Sequence, residues 1–96
     1  MSRRRLEIEQ SARAERERIQ ALPPGRHGFG SNLWLDVRGR TRSWSFRFRL
    51  DGRDRQMGLG GWPDVPLDEA VARAQAHRRS VRAGTDPIEQ RRAERK

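Results

Sequence analysis

Ser43-Trp44-Ser45-Phe46-Arg47-Phe48-Arg49 alternates polar and apolar side chains through the length of a strand. Successive side chains of an extended chain point to opposite faces. Trp44, Phe46, Phe48 and the following Leu50 therefore share one side, and Ser43, Ser45, Arg47 and Arg49 the other. The first side suits a hydrophobic core. The second carries arginine and serine and no acid, which suits a polyanion, nucleic acid foremost.

Two further segments read as partners for this strand. In Leu33-Trp34-Leu35-Asp36-Val37-Arg38, the residues Leu33, Leu35 and Val37 fall on one face and Trp34, Asp36 and Arg38 on the other. A third strand over residues 53–59 puts Met57 and Leu59 on the core side and Gln56 on the open side. Arg38-Gly39-Arg40-Thr41-Arg42 and Leu50-Asp51-Gly52-Arg53 supply the turns, Asp-Gly being a strong hairpin signal. Two short connections in series predict a three-stranded antiparallel meander. Gly58, Gly60 and Gly61 are read as its end, and Trp62-Pro63-Asp64-Val65-Pro66 as the lead into a helix.

From Leu67 the apolar positions recur at helical spacing, as Leu67, Ala70, Val71, Ala74 and Val81. Asp68 and Glu69 stand in the first turn and Arg79 and Arg82 in the last, an order that suits the helix dipole. Gly84 is placed to stop the helix. A sheet with one apolar face and a helix with one apolar stripe bury each other, which gives an α+β domain of three strands against one C-terminal helix. Residues 27–87 form that domain. Residues 1–26 read as a flexible or partly helical arm, with a weak pattern at Ala12, Glu15, Ile19 and Leu22 stopped by Pro23-Pro24-Gly25. Residues 88–96 read as a charged tail.

The 96-residue chain carries 22 basic and 13 acidic residues, a formal net charge of +9, and only 32% hydrophobic residues. Arginine-rich codon usage accounts for part of that excess. It does not account for Arg38, Arg40, Arg42, Arg47 and Arg49 following one another with no acid between Val37 and Leu50, a cluster that favours phosphates and salt-dependent binding. Cysteine is absent, which excludes disulfides and thiolate metal sites. His27 and His77 are too far apart to suggest a metal site and read as structural or solvated. No apolar run reaches the roughly 18 residues of a membrane span, and Arg3-Arg4-Arg5 lacks the apolar segment of a secretory signal. A cytoplasmic protein with no membrane partner, cofactor or metal is the expectation.

Residues 28–88 resemble the N-terminal DNA-binding domain of phage- and genomic-island-type integrases, which are tyrosine recombinases. The resemblance rests on ordered motifs: Leu33-x-Leu35-x-Val37, then Thr41-Arg42-Ser43-Trp44-Ser45-Phe46-Arg47-Phe48, the Asp51-Gly52 turn, Met57-Gly58-Leu59-Gly60 through Ala70, and Gly84-Thr85-Asp86-Pro87. Phe48 and Trp62 stand where such domains commonly have tyrosine. Pro66 takes the usual serine N-cap position, removing a cap typically worth about 1 kcal/mol. The segment before His27 matches poorly.

The resemblance implies a sheet that binds accessory arm-type sites on double-stranded DNA during site-specific recombination. Strands laid in the major groove are an established way to read base edges. Its candidate DNA-binding residues are Trp34, Arg38, Arg40, Arg42, Ser43, Ser45, Arg47, Arg49 and Gln56. Arg47 and Arg49 suit guanine, and Gln56 suits adenine. Ser43, Ser45 and the turn arginines suit phosphate. Trp34 has a second reading, as cover for the sheet edge or packing for the arm. Met57-Gly58-Leu59-Gly60-Gly61 lacks the Lys and Ser/Thr of a nucleotide loop and reads as a strand end.

Tyrosine recombinases attack DNA with a tyrosine hydroxyl, and this sequence contains no tyrosine. It also shows no Ser/His/Asp or paired-carboxylate arrangement, so a binding role without catalysis is expected. A truncated integrase, an isolated domain and a small stand-alone relic of a mobile element all fit the tail. Beyond DNA, other recombinase subunits or accessory proteins are implied partners. Two other readings stay open: a protein-interaction module of a recombination complex with only nonspecific DNA affinity, and an RNA binder. Inward placement of Trp44, Phe46 and Phe48 argues against the second.

Overall fold

A computed structural model of the chain describes residues 3–95, so the outermost residues of the expected arm and tail lie outside the described residues. The order is α1 (Arg3–Gln20), β1 (Gly25–Gly28), β2 (Leu33–Arg38), β3 (Thr41–Leu50), β4 (Arg53–Gly61), α2 (Leu67–Arg82) and α3 (Pro87–Glu94). The four strands form one antiparallel sheet in the order β1-β2-β3-β4. The meander expected from sequence is present as β2–β4, and its two tight turns fall where expected. Asp51 and Gly52 both take positive φ, 53° and 73°, as a two-residue hairpin loop requires.

The expected count of three strands is corrected by β1. Gly25, Arg26, His27 and Gly28 pair with Val37, Asp36, Leu35 and Trp34. Four residues with two glycines carry no alternation to detect, and the strand exists because the free edge of β2 gives it a ladder. Within the expected flexible or partly helical arm, α1 runs as one continuous helix from Arg3 to Gln20, longer than the weak pattern from Ala12 to Leu22. Almost every residue of α1 is a good helix former, which sequence periodicity does not register because no apolar stripe is needed. Residues 9–18 are exposed apart from half-buried Glu15, whereas Ile19 is fully buried. The helix is thus fastened to the core through its last turn.

The core lies between the inner face of the sheet and the helices. Leu33, Leu35, Val37, Trp44, Phe46, Phe48, Met57, Leu59, Ala70 and Ala74 are buried, with Leu67, Val71 and Val81 packed partly buried against them. Every core residue expected from sequence is in this set. Ile19, Val65 and Ile88 complete it from α1, the β4–α2 connection and α3. The Trp44 indole N–H donates to the Val65 carbonyl at 2.7 Å, so this deeply buried ring keeps its polar atom satisfied.

The expectation of one C-terminal helix is corrected as well: a second, α3, follows α2 through the segment read as a charged tail. Asp86 is its N-cap, accepting from the amides of Ile88 at 2.8 Å and Glu89 at 3.4 Å, with Pro87 in the first turn. The Asp86 carboxylate also takes an ion pair from Arg55 of β4 at 2.7 Å. Gly84, at φ 80°, closes α2 as expected: its amide reaches the Val81 carbonyl and that of Thr85 reaches Ser80. Pro66 is the N-cap of α2 and makes no side-chain cap.

The third expected strand, over residues 53–59, runs two residues further as β4, which ends at Gly61 among the expected terminal glycines and carries a bulge. Trp44 pairs with Gly60 and Ser45 with Gly58, so Leu59 is the extra residue. The outer edge of β4 is covered by arginines from the helices. Arg73 donates to the Leu59 carbonyl at 2.9 Å and Arg91 to that of Gly58 at 2.8 Å.

Candidate nucleic-acid interface

With helices against one face of the sheet, the opposite face carries no helix among the described residues. Cross-strand register assigns each side chain to a face, because directly paired residues share one. Arg26 and Asp36, Asp36 and Ser43, Trp34 and Ser45, Arg47 and Gln56, and Arg49 and Asp54 are such pairs on the outer face. Eight of the nine residues expected from sequence lie at exposed or outward positions, though Ser45 is buried there, and Arg42 alone of the nine faces the core.

Arg47 stands at the centre of the β3–β4 half, half-buried, opposite exposed Gln56. Its backbone is clamped by Asn32, whose carbonyl accepts from the Arg47 amide at 3.0 Å and whose side-chain amide donates to the Arg47 carbonyl at 2.9 Å. The guanidinium has no ion pair among the described residues. Arg49 is 70% exposed and lies 4.0 Å from equally open Asp54, a contact worth little in water. These residues border a shallow depression of about 360 Å³ together with Asn32. Arg38 and Arg40 are exposed at the β2–β3 turn, and Ser43 is exposed on the outer face.

Arg42 is the first correction. It pairs with buried Val37 and so lies on the core face, where its Nε donates to the Ile19 carbonyl at 3.2 Å and Nη2 to that of Gln20 at 2.8 Å. A cation at the last carbonyls of α1 satisfies acceptors the helix leaves open. Ser45 is the second. Only 3% exposed, it donates its hydroxyl to Asp36 Oδ2 at 3.3 Å and is not free to meet a phosphate. Trp34 does face outward, and its ring lies over Gly28 of β1, so close that a Cβ there would stand 3.3 Å from it. It covers the edge strand, the second of its two readings.

Three titratable groups mark how the helices are fastened behind this face. Burial, with the nearby charges of Arg91 and Arg73, lowers the pKa of His77, whose ring packs 5.7 Å from that of Phe46. Burial raises the Asp86 pKa, but hydrogen bonds from Arg55 and from the Ile88 and Glu89 amides outweigh it and leave the carboxyl below its ordinary range. The hydrogen bonds that Arg55 donates to the Asp86 and Glu89 carboxylates raise its own pKa.

The Arm DNA-binding domain family matches residues 7–94 of this sequence. The chain belongs to that family. The match takes in most of α1, all of β1 and α3, which extends the resemblance beyond residues 28–88 at both ends. Among curated proteins, this arm domain is similar to the integrase of Shigella phage Sf6, at 30% identity over 66 residues, covering 69% of this chain and 17% of that protein. The prophage integrase IntS of Escherichia coli K12 gives the same identity and coverage. The arm domain thus spans about a sixth of the length of these relatives. No helix among its described residues is long and apolar enough to cross a membrane.

Sequence reasoning put Asp36 on this face without making it a candidate, and missed Arg26 altogether. Asp36 carried the right parity on its strand, but its acid charge set it apart from a cationic site. Arg26 sat in a segment read as arm, and no periodic signal was there to find.

Proposed function

We propose that this arm domain binds double-stranded DNA through the outer face of its sheet and recognises accessory arm-type sites during phage-type integration. The observation that carries this reading is the Arg47 guanidinium. It stands outward on a strand whose opposite face is sealed in the core, it has no ion-pair partner among the described residues, and it is flanked by Arg49 and Gln56. Arginine forks onto guanine and glutamine onto adenine in the major groove. Arg38, Arg40 and Ser43 at the margin contact phosphate and set the register. The role is binding; the sequence contains no tyrosine to attack DNA.

Selection of duplexes from a random pool, followed by titration at several salt concentrations, tests the reading. Arg47→Ala costs about 1–3 kcal/mol on the selected site and relaxes base preference there, whereas Arg40→Ala weakens all sequences alike and lowers the salt slope by about one. Equal loss on selected and random duplexes for Arg47→Ala would defeat base reading. The exposed length of α1 favours a second reading, a protein-docking module with only nonspecific DNA affinity. That reading predicts no sequence enrichment and a protein partner retained at high salt.

A further inference from the structure

The β1–β2 half of the outer face holds a hydrogen-bonded chain that a purely cationic surface would not contain. Asp36 uses both carboxylate oxygens: Oδ1 accepts from Arg26 Nε at 3.1 Å, and Oδ2 accepts from the Ser45 hydroxyl at 3.3 Å. Ser45 is buried, so its end of the chain is fixed by packing. Asp36 is 24% exposed and Arg26 46%, so the order runs from an anchored hydroxyl outward to a solvent-facing guanidinium. Register agrees, since Arg26 and Asp36 are direct cross-strand partners.

An acid on a face that meets phosphate raises the cost of approach, unless it orders a group that gains more. Arginine has five N–H donors, and Arg26 commits the one on Nε to Asp36. The four on its two terminal nitrogens have no partner among the described residues. A free arginine side chain loses rotamer freedom on docking; one already held by a carboxylate loses less and presents its fork in one orientation. We infer that Arg26, buttressed by Asp36 and through it by Ser45, is a guanine-reading residue of the interface, with Asp36 its positioning residue. This rests on the reading that the outer face meets duplex DNA. It adds to that reading a determinant on the edge strand, separate from the Arg47 centre.

The duplex pool selected with the unaltered protein serves as probe, with Arg26→Ala, Asp36→Ala, Asp36→Asn and the Arg26→Ala/Asp36→Ala pair titrated on the selected site and on each single-base variant of it. Arg26→Ala and Asp36→Ala each lose about tenfold or more on the selected site and lose guanine preference at the same base pair, and the double variant is no weaker than the weaker single. Asp36→Asn, which keeps an oxygen for Arg26, retains part of that preference. Thermal unfolding of each variant separates loss of contact from loss of fold.

Tighter binding of Asp36→Ala on every duplex with base preference intact would overturn the inference, reducing Asp36 to a repulsive neighbour. Uniform weakening by Arg26→Ala across all sequences would overturn it too, making Arg26 a phosphate contact. Failure of the unaltered protein to enrich any duplex would remove the DNA reading itself. Enrichment that ignores Arg26 removes only this addition.

Discussion

Arg42 Nη2 donates to the carbonyl of Gln20 at 2.8 Å, tying the third strand of the sheet to the last turn of α1. With the second bond, from Nε to the Ile19 carbonyl, and the burial of Ile19, this is how a largely exposed helix is held to the domain. Arg42→Ala costs about 1–3 kcal/mol in denaturant unfolding, as expected for lost hydrogen bonds from a charged donor, and speeds amide exchange in α1. Base preference on DNA is unchanged. Arg40→Ala, two residues earlier and exposed, leaves stability unaltered. Loss of base preference in Arg42→Ala without loss of stability would return that side chain to the outer face.

Asp86 does two jobs with one carboxylate, capping α3 and pairing with Arg55. Its native pKa lies below the ordinary 3.8, so the unfolded chain binds a proton more readily than the folded one. The stabilisation is complete above that ordinary value and is lost as pH falls through the lower native one. Asp86→Ala costs about 1 kcal/mol or somewhat more at neutral pH from the cap alone. Its acid unfolding limb below pH 4 is shallower than that of the unaltered protein. An identical limb in both would show that other carboxylates carry the acid sensitivity.

His77 works in the opposite charge sense. Burial against Phe46, with Arg91 and Arg73 nearby, keeps the ring neutral to lower pH than the ordinary 6.5. The unfolded chain therefore takes up the proton first. Stability is full above the unfolded value and falls as pH drops from there toward the native one. Asp86 is already ionised through that window, so a decline between pH 7 and pH 5 isolates the histidine. His77→Gln flattens the decline in unfolding midpoints measured across the window. A slope that survives the substitution would move its source elsewhere.

The parts of the fold legible in sequence were those with period or punctuation. The alternation from Trp44 to Leu50, Asp51-Gly52 and Gly84 each specify a local geometry on their own, and the structure has all of them. The parts not legible depend on contacts between distant segments. β1 has no pattern and is a strand because β2 has an open edge. α1 has propensity without amphipathicity, and what holds it, Ile19 in the core and the Arg42 bonds to its last turn, comes from distant contacts. Parity put Arg47, Arg49 and Gln56 on the outer face of the sheet, where the register has them, and the same parity applied to Arg42 puts it with Trp44 on the core side. Treating it as part of a turn, where alternation lapses, hid that. Ser45 has outward parity, yet Trp34 directly across the ladder and Asp36 diagonal to it close it off, and no one-dimensional pattern carries such a neighbourhood.

Gly60 is where the β4 bulge and the core meet. Its φ is 102°, which side-chain-bearing residues rarely adopt, and a Cβ there would stand 2.7 Å from Cγ2 of Val65. Val65 cannot yield easily, because it is buried and its carbonyl accepts from the Trp44 indole. Backbone strain and displacement of that valine together make Gly60→Ala cost about 1–3 kcal/mol or more. Gly58, two residues earlier, has ordinary φ and nothing within 4 Å of its Cβ position, so Gly58→Ala stays within about 0.5 kcal/mol. Trp44 fluorescence would report the first substitution and not the second, since only Gly60 adjoins the segment that holds the indole. Equal stability of the two variants would mean that the bulge relaxes freely, and that Val65 does not fix the ring.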